Sequence, residues 1–243
     1  MDRVKTGISG MDQLLNGGIP KGRTIMVSGS CGTGKTIFAA QFIYEGIRSG
    51  ESCVYITFEQ SKEKLLEDLR ETGIDFKKGL DNQTLKIIGG ALGHIKQFKD
   101  KTKASMYDLS EEIQEVVKET KASRVVLDSI NLFLMLFETD DEKRKALAEL
   151  TSMLDKLDCT TLLTCEVMEG TKHISWYGFE EFVVEGVIVL HRIPFDNIFE
   201  RAVSILKMRA IEHSRNITSL QIKKGGIIVY PRKQPFHKMS YSR

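Results

Sequence analysis

The residues best suited to chemistry lie in one glycine-rich stretch near the amino terminus. Residues 29–36 read GSCGTGKT and fit the pattern G-x-x-x-x-G-K-[ST] at every fixed position. Glycines let the backbone turn several N–H groups toward one anion, and the start of the following helix adds partial positive charge. In such a loop the lysine ammonium reaches the β- and γ-phosphates and the last hydroxyl binds Mg²⁺. We therefore expect a nucleotide site made by Ser30, Cys31, Gly32, Thr33, Gly34, Lys35, Thr36 and Ile37, with Thr36 as a metal ligand.

Two acidic residues follow apolar runs that are typical of buried strands. Asp128 closes the run VVL, which places it at the carboxyl end of a strand, where open α/β sheets bind ligands. We expect Asp128 to orient the magnesium ion, with help from Ser129. The alternative is that Asp128 ends the strand and caps the next helix.

Glu59 follows the run CVYITF and should project from the same edge of the sheet. It is the candidate general base for deprotonating an attacking water. Gln60 can hydrogen-bond that water but cannot take its proton. The alternative for Glu59 is a solvated turn residue at the start of a helix.

The elements that would position these residues alternate along the chain. Apolar runs typical of strands occur at residues 24–28, 53–58, 85–88, 124–127 and 160–165. Helical spacing occurs at residues 36–48, after Ser61, at 109–117 and at 146–157. This alternation predicts an α/β fold with a mostly parallel sheet covered by helices on both faces. After residue 180 four strand-like runs with short turns, one of them Gly225-Gly226, predict an antiparallel extension of one edge.

Composition narrows the class of protein. The chain has 243 residues, 41% of them hydrophobic, and a net charge of +2, which is too small to indicate nucleic acid or a membrane surface as partner. We expect one domain over residues 1–243, with a basic tail at 231–243. The most apolar segment, residues 125–137, is shorter than the about 20 residues that a membrane span needs. No secretory signal opens the sequence and the four cysteines lack C-x-x-C spacing, so we expect reduced thiols and a cytoplasmic protein.

Beyond these local patterns, the chain resembles a known family. Residues 6–23, TGISGMDQLLNGGIPKGR, resemble the entry segment of the RecA/RadA/KaiC group of ATPases. The stretches GSCGTGKT, YITFEQ, VVLDSI, WYGFEEFVVEGVIVL, ILKMRAIEHS and ITSLQIKKGGIIVYP resemble KaiC-like ATPases more closely than recombinases. The resemblance spans nearly the whole chain, as a single copy of a domain that KaiC carries twice, and implies a RecA-like P-loop fold.

The resemblance also implies roles for individual residues. Glu59 matches the first of two neighbouring catalytic glutamates, whereas Gln60 departs from the second, which predicts slow hydrolysis. Lys207 and Arg209 match a Lys-x-Arg pair that reaches the γ-phosphate of ATP bound to the neighbouring subunit. Met208 between them and His213 would line that nucleotide. The implied assembly is a homohexameric ring with ATP and Mg²⁺ between subunits.

The residues alone leave a second interpretation of that cationic pair. Lys207 and Arg209 alternate with Met208 on a predicted strand, so both cations lie on one face. Such a pair is also typical of a solvated edge strand that discourages sheet-to-sheet aggregation. A family autokinase activity is not expected, because the positions that match its phosphorylated Ser and Thr are Glu181 and Phe182.

Three functions remain open from the sequence. The first is an ATPase ring that links nucleotide state to a partner protein. The second is a nucleic-acid-binding ATPase of the recombinase kind, with basic loops at residues 89–104 (Lys96, Lys99, Lys101, Lys103) and 168–176 (Lys172, His173). The third, motivated by Gln60, is a nucleotide-binding scaffold with negligible turnover.

Overall fold

A nine-stranded sheet lies at the centre of the part of the chain that the computed structural model describes, residues 1–90, 104–233 and 235. Its strand order is β11-β10-β9-β8-β3-β7-β6-β4-β5, and β1 and β2 form a separate antiparallel pair. The strands are β1 Arg3–Val4, β2 Ile19–Pro20, β3 Thr24–Gly29, β4 Cys53–Thr57, β5 Leu85–Ile88, β6 Arg124–Asp128, β7 Thr160–Glu166, β8 Gly186–Phe195, β9 Ile198–Met208, β10 Thr218–Lys223 and β11 Gly226–Val229.

Helices cover both faces of this sheet, as the alternating pattern predicts. They are α1 Met11–Leu14, α2 Lys35–Arg48, α3 Lys62–Glu71, α4 Lys77–Asp81, α5 Ala104–Thr120, α6 Ile130–Leu134, α7 Asp140–Lys156 and α8 Glu180–Val183. Phe38 and Phe42 of α2 and Leu65 of α3 belong to one buried apolar cluster. Ile113 of α5 and Leu150 of α7 belong to a second cluster on the other face. The sheet is therefore buried on both sides, which explains why its central strands are continuous apolar runs.

The six strands from β8 to β5 in the sheet order run parallel to their neighbours. Residues of β3, β4 and β6 are buried along the whole length of each strand. Parallel strands end at the same edge of a sheet, so the carboxyl ends of β3, β7, β6 and β4 lie side by side. This edge receives Lys35, Glu59 and Asp128.

The antiparallel extension exists but begins one strand later than expected. β9, β10 and β11 each pair antiparallel with the preceding strand, whereas β8 pairs parallel with β3. The reason is α8, which ends at Val183 and lets the chain cross over before β8 begins at Gly186. The Gly225-Gly226 turn is confirmed, and both glycines have the positive φ angles, 97° and 112°, that such a hairpin requires.

Two expected segments fall partly or wholly outside the described residues. The lysines of the first basic loop, Lys96 to Lys103, lie outside them, as does most of the basic tail after Lys233. Among the helices that the structure does describe, none combines the length and the apolar character that crossing a bilayer requires.

Candidate functional site

The glycine-rich stretch forms a tight loop between β3 and α2. Thr33 closes it, because its hydroxyl donates to the Ser30 carbonyl at 2.8 Å and its N–H donates to the same oxygen at 3.4 Å. Gly34 has φ 103°, a left-handed conformation that suits glycine. A Cβ added to Gly29 would lie 2.6 Å from Thr33 Oγ1 and 2.7 Å from the Leu190 carbonyl oxygen. Only glycine therefore fits where the loop leaves the strand.

The start of α2 offers backbone donors to an anion. The first N–H groups of a helix have no partner inside it, and no side chain caps α2. Cys31 and Gly32 at the tip of the loop are exposed, and Thr36 and Ile37 are half-buried. Free N–H groups beside a lysine are the donor set that phosphate oxygens need. The residues present therefore fit a triphosphate.

Lys35 opens the helix and its side chain is almost buried, with 8% of its surface exposed. Its ammonium donates to the Ser30 carbonyl at 3.2 Å and lies 3.6 Å from a carboxylate oxygen of Glu166. These two contacts hold the lysine ammonium beside the loop, where it can reach a ligand bound there.

Asp128 ends β6 with its carboxylate buried and oriented by two hydroxyls. Tyr55 Oη donates to one carboxylate oxygen at 2.8 Å, and Thr164 Oγ1 donates to the other. Burial and the nearby charge of Asp128 raise the pKa of Tyr55 well above its ordinary value, so the phenol stays protonated and remains a donor.

This arrangement fits a magnesium ion held mainly by its substrate. In the described part of the chain, no three His, Cys, Asp or Glu side chains form a ready metal cage. Mg²⁺, however, is usually bound through one or two carboxylates plus substrate phosphates and water. Asp128, together with the Thr36 hydroxyl at the start of α2, supplies oxygen donors of that kind. Ser129 is buried directly after Asp128.

Glu59 lies two residues beyond the end of β4, at the same edge. Its side chain is exposed overall, but partial withdrawal of the carboxyl from water raises its pKa, and the charges of Asp128 and Glu166 act in the same direction. The Ser129 hydroxyl and the Lys35 ammonium oppose this shift. A raised pKa brings a carboxylate closer to the strength that a general base needs near neutral pH.

Four residues of this edge were not anticipated from the sequence. Tyr55 and Thr164 orient Asp128, and Asn131 hydrogen-bonds both the N–H and the carbonyl of Glu166. Glu166 could have been found, because it ends a predicted strand as Asp128 does. The other three carry no local signal, since their partners are distant in the chain.

A further unexpected contact comes from β9. Arg201 Nε donates to the carbonyl of Gly32 at 3.2 Å, so a strand of the antiparallel extension touches the tip of the phosphate loop. This contact is possible because β9 runs beside β8, and β8 beside β3.

The second group of predicted residues, Lys207 to His213, lies at the opposite end of the strands from the phosphate loop. Lys207 is half-buried on β9, and Met208 is buried in the core. Arg209 is exposed one residue beyond the end of β9, so its expected place within the strand is wrong, although its N–H still donates to the Glu185 carbonyl at 3.0 Å. His213 is half-buried, with Nδ1 3.0 Å from the Ser214 carbonyl oxygen.

These residues are separated from the phosphate loop of the same chain. Met208 pairs with Gly186 and Gly186 pairs with Ile25, four residues before Gly29 on β3. Four residues of strand correspond to about 13 Å. The structure therefore brings Lys35, Glu59 and Asp128 to one edge and leaves the cationic pair at the opposite one.

Comparison with known proteins decides the family. The family model "ATPase: KaiC" matches residues 4–234. The chain belongs to the KaiC family of ATPase domains. The match covers both the parallel strands that carry the phosphate loop and the antiparallel extension of this KaiC-family chain.

Relatives of two lengths share this domain. The chain is 32% identical to a UPF0273 protein of Thermotoga maritima, covering 94% of this chain and 96% of that protein. It is 34% identical to the circadian clock protein KaiC3 of Synechocystis, covering 95% of this chain but 46% of the clock protein. The chain thus spans about half the length of the clock proteins it matches.

A solved structure agrees with the fold. The crystal structure of a KaiC-like protein from the hyperthermophilic archaeon Pyrococcus horikoshii OT3 superposes with a TM-score of 0.84 at 36% identity, covering 95% of this chain and 99% of that one. The predicted RecA-like fold, with its antiparallel carboxyl-terminal strands, is therefore confirmed.

The exposed thiol in the phosphate loop gives a direct probe of this KaiC-family site. All four cysteines are free, but only Cys31 is exposed. Burial raises the pKa of Cys53 to about 12 and that of Cys159 to about 11, and it raises the pKa of Cys165 as well. Thiolates are the reactive form, so we expect a thiol reagent such as Ellman's reagent to modify one cysteine per folded chain, and ATP–Mg²⁺ to slow that modification.

The control for this experiment is Cys31→Ser, which should abolish labelling of the folded chain. Modification of a second thiol without unfolding would contradict the burial of the other three. A labelling rate that saturating ATP–Mg²⁺ leaves unchanged would contradict nucleotide binding at the loop.

Proposed function

We propose that this KaiC-family chain binds ATP with Mg²⁺ and hydrolyses it at the interfaces of a homo-oligomeric ring, where the nucleotide state is passed to a protein partner. One observation carries the proposal. The phosphate loop, with free N–H groups and an almost buried lysine, lies at one edge of the sheet, while Lys207 and Arg209 lie at the other.

At the edge of the sheet that carries the phosphate loop, which we call the phosphate edge, each residue has a role that its position supports. The N–H groups at the start of α2 and the Lys35 ammonium bind the β- and γ-phosphates. Thr36 and Asp128 hold Mg²⁺, which when bound neutralises negative charge on those phosphates. Glu59 orients the attacking water and accepts its proton. Tyr55 and Thr164 keep the Asp128 carboxylate in place.

The cationic pair acts on a different molecule than the one that carries it. Lys207 and Arg209 are too far along the strands to reach the loop of their own chain, so a phosphate that they contact must belong to a neighbour. Burial and the charge of Arg209 lower the pKa of Lys207, and Glu181 and Glu185 counteract this shift. A phosphate supplied by the next subunit would relieve the repulsion between the two cations and receive charge stabilisation in the transition state.

Self-association is further supported by apolar side chains exposed near this pair. Leu206 precedes Lys207 and is 49% exposed, and Phe182, next to Glu181, is 66% exposed. Exposed apolar residues grouped around a functional element indicate an interaction surface. An interface between two different faces of the same protein closes into a ring when the rotation allows it. On the family resemblance, we propose that this ring is a homohexamer, with Met208 and His213 near the neighbour's nucleotide.

Turnover in this ring should be slow and without self-phosphorylation. Gln60 stands where a second carboxylate would assist hydrolysis, so Glu59 alone supplies the base. Glu181 and Phe182 have no hydroxyl to accept a phosphoryl group, and Glu181 instead accepts a hydrogen bond from Ser175. Free thiols support a reducing compartment, which we take to be the cytoplasm.

The second candidate function is a nucleic-acid-binding ATPase. One described loop supports it, because Lys172, His173 and Trp176 are all exposed there. A cation beside an exposed indole can bind a phosphate and stack on a base. In the described part of the chain this is the one such loop, and the net charge of the whole chain is only +2, so a protein partner is the better-supported proposal.

Two substitutions test nucleotide binding and hydrolysis separately. Lys35→Ala should weaken ATP–Mg²⁺ binding by about 10- to 100-fold, because a charge-assisted contact is worth about 1.5–3 kcal/mol. Glu59→Gln should bind ATP–Mg²⁺ at least as tightly as the parent and slow phosphate release by about 10²- to 10⁴-fold, because it removes the base. Calorimetry gives the Kd and a phosphate-release assay gives the rate. Parental affinity in the first variant would refute the site, and parental turnover in the second would remove Glu59 from the mechanism.

Subunit mixing tests the placement of the cationic pair. Lys35→Ala and Arg209→Ala chains should each be inactive alone, but a mixture assembled with ATP should regain hydrolysis. An active interface then needs the intact loop of one variant beside the intact Arg209 of the other, which occurs at about a quarter of the interfaces in a random heterologous ring. Mixing variants that both carry Arg209→Ala is the control. An Arg209→Ala chain that is fully active alone would place the pair outside catalysis.

Titration with single-stranded DNA at two salt concentrations separates the two candidate functions. A protein-linked ATPase should show no saturable binding at either concentration. A nucleic-acid-binding ATPase should bind, with an affinity that falls steeply as salt rises, because each phosphate contact releases counterions. Lys172→Ala is the variant that should reduce any such binding and its salt dependence.

A further inference from the structure

The phosphate-loop lysine has an anion of the protein itself as a neighbour. The Lys35 ammonium lies 3.6 Å from Glu166 Oε1 and donates to the Ser30 carbonyl at 3.2 Å. Lys35 is 8% exposed and Glu166 is 42% exposed. The nearly buried cation is therefore neutralised by a carboxylate that solvent still reaches.

The position of this carboxylate is set by the fold. Glu166 ends β7, and its Cα pairs in register with Gly29, the residue at which β3 enters the phosphate loop. Asn131 of α6 accepts from the Glu166 N–H at 2.7 Å and donates to its carbonyl at 3.4 Å. Both backbone polar groups of Glu166 are thus hydrogen-bonded to Asn131, which fixes the position of its Cα beside the loop.

A bound triphosphate changes the electrostatics of this pair. Lys35 is the side chain that the phosphates require, so its ammonium must then serve two anionic partners. The carboxylate also faces the negative charge of the phosphates at short range, which costs free energy in a site partly shielded from water. Both effects oppose nucleotide binding, and they grow with the charge of the nucleotide.

We propose that Glu166 is a positioning residue that competes with the phosphates of ATP for the Lys35 ammonium and so keeps the affinity of this site for nucleotide low. The inference rests on the proposed nucleotide site and goes further, because it assigns a role to a carboxylate that hydrolysis does not need. ATP, with one phosphate more than ADP, is affected more strongly.

The test removes the charge of Glu166 and measures nucleotide affinity in the full chain. Glu166→Gln should lower the Kd for ATP–Mg²⁺ about two- to fivefold, the range expected when a partly exposed charge is removed. The Kd for ADP–Mg²⁺ should fall less, and the KM for ATP should fall with the Kd. Calorimetric titration and steady-state hydrolysis supply these values. Loss of a structural contact would weaken binding, so the direction of the change separates competition from a purely structural role.

The matched control removes a nearby charge that is paired with a different cation. Glu169 lies three residues further along, with its carboxylate 3.5 Å from Arg192 and 59% of its side chain exposed. Glu169→Gln should leave the Kd for ATP unchanged. Glu166→Asp, which keeps the charge but shortens the side chain by one methylene, should give an intermediate tightening and serves if the Gln variant does not fold.

Two failures can be told apart. If Lys35→Ala loses ATP binding while Glu166→Gln and Glu166→Asp bind ATP no more tightly than the parent, the competition is refuted and the nucleotide site stands. If Lys35→Ala binds ATP as the parent does, the proposed function itself is refuted.

Discussion

The free N–H groups at the start of α2 are the feature on which the rest of the site depends. Unpaired backbone donors are costly unless water or a ligand satisfies them, so the loop before them has to keep them open and aligned. Thr33 does this by closing the turn on Ser30, and Gly34 by adopting a left-handed conformation. The buried strand β3 then presents the whole turn at the edge where β7, β6 and β4 also end.

The sequence predicted those parts of the site that depend on neighbours in the chain. The phosphate loop, the strand ending in Asp128 and the helix after Ser61 are local patterns, and each lies where it was expected. Tyr55 and Thr164 could not be anticipated, because their contact with Asp128 arises only when β4, β6 and β7 align. The parallel direction of β8 is likewise decided by the crossover through α8 rather than by the apolar run itself.

The antiparallel extension places candidate functional residues at both ends of its strands. Since β9 runs opposite to β8, its beginning approaches the phosphate loop and its end points away from it. Arg201, near the beginning, contacts Gly32 of the same chain, whereas Lys207 and Arg209 lie at the far end. One strand therefore connects the proposed phosphate loop with the surface that we propose meets a neighbouring subunit.

The charge balance of the phosphate edge strengthens that link. Glu59, Asp128 and Glu166 bring three carboxylates to the neighbourhood of one lysine, and their mutual influence is evident in the raised pKa of Glu59, which follows partial burial and the charges of Asp128 and Glu166. A triphosphate adds further negative charge, so binding becomes favourable only with compensating cations. In the proposed ring, magnesium is one source of such charge, and the Lys207–Arg209 pair of a neighbouring subunit is the other. If both are needed, nucleotide binding and ring formation must promote each other, because linkage between two equilibria is reciprocal.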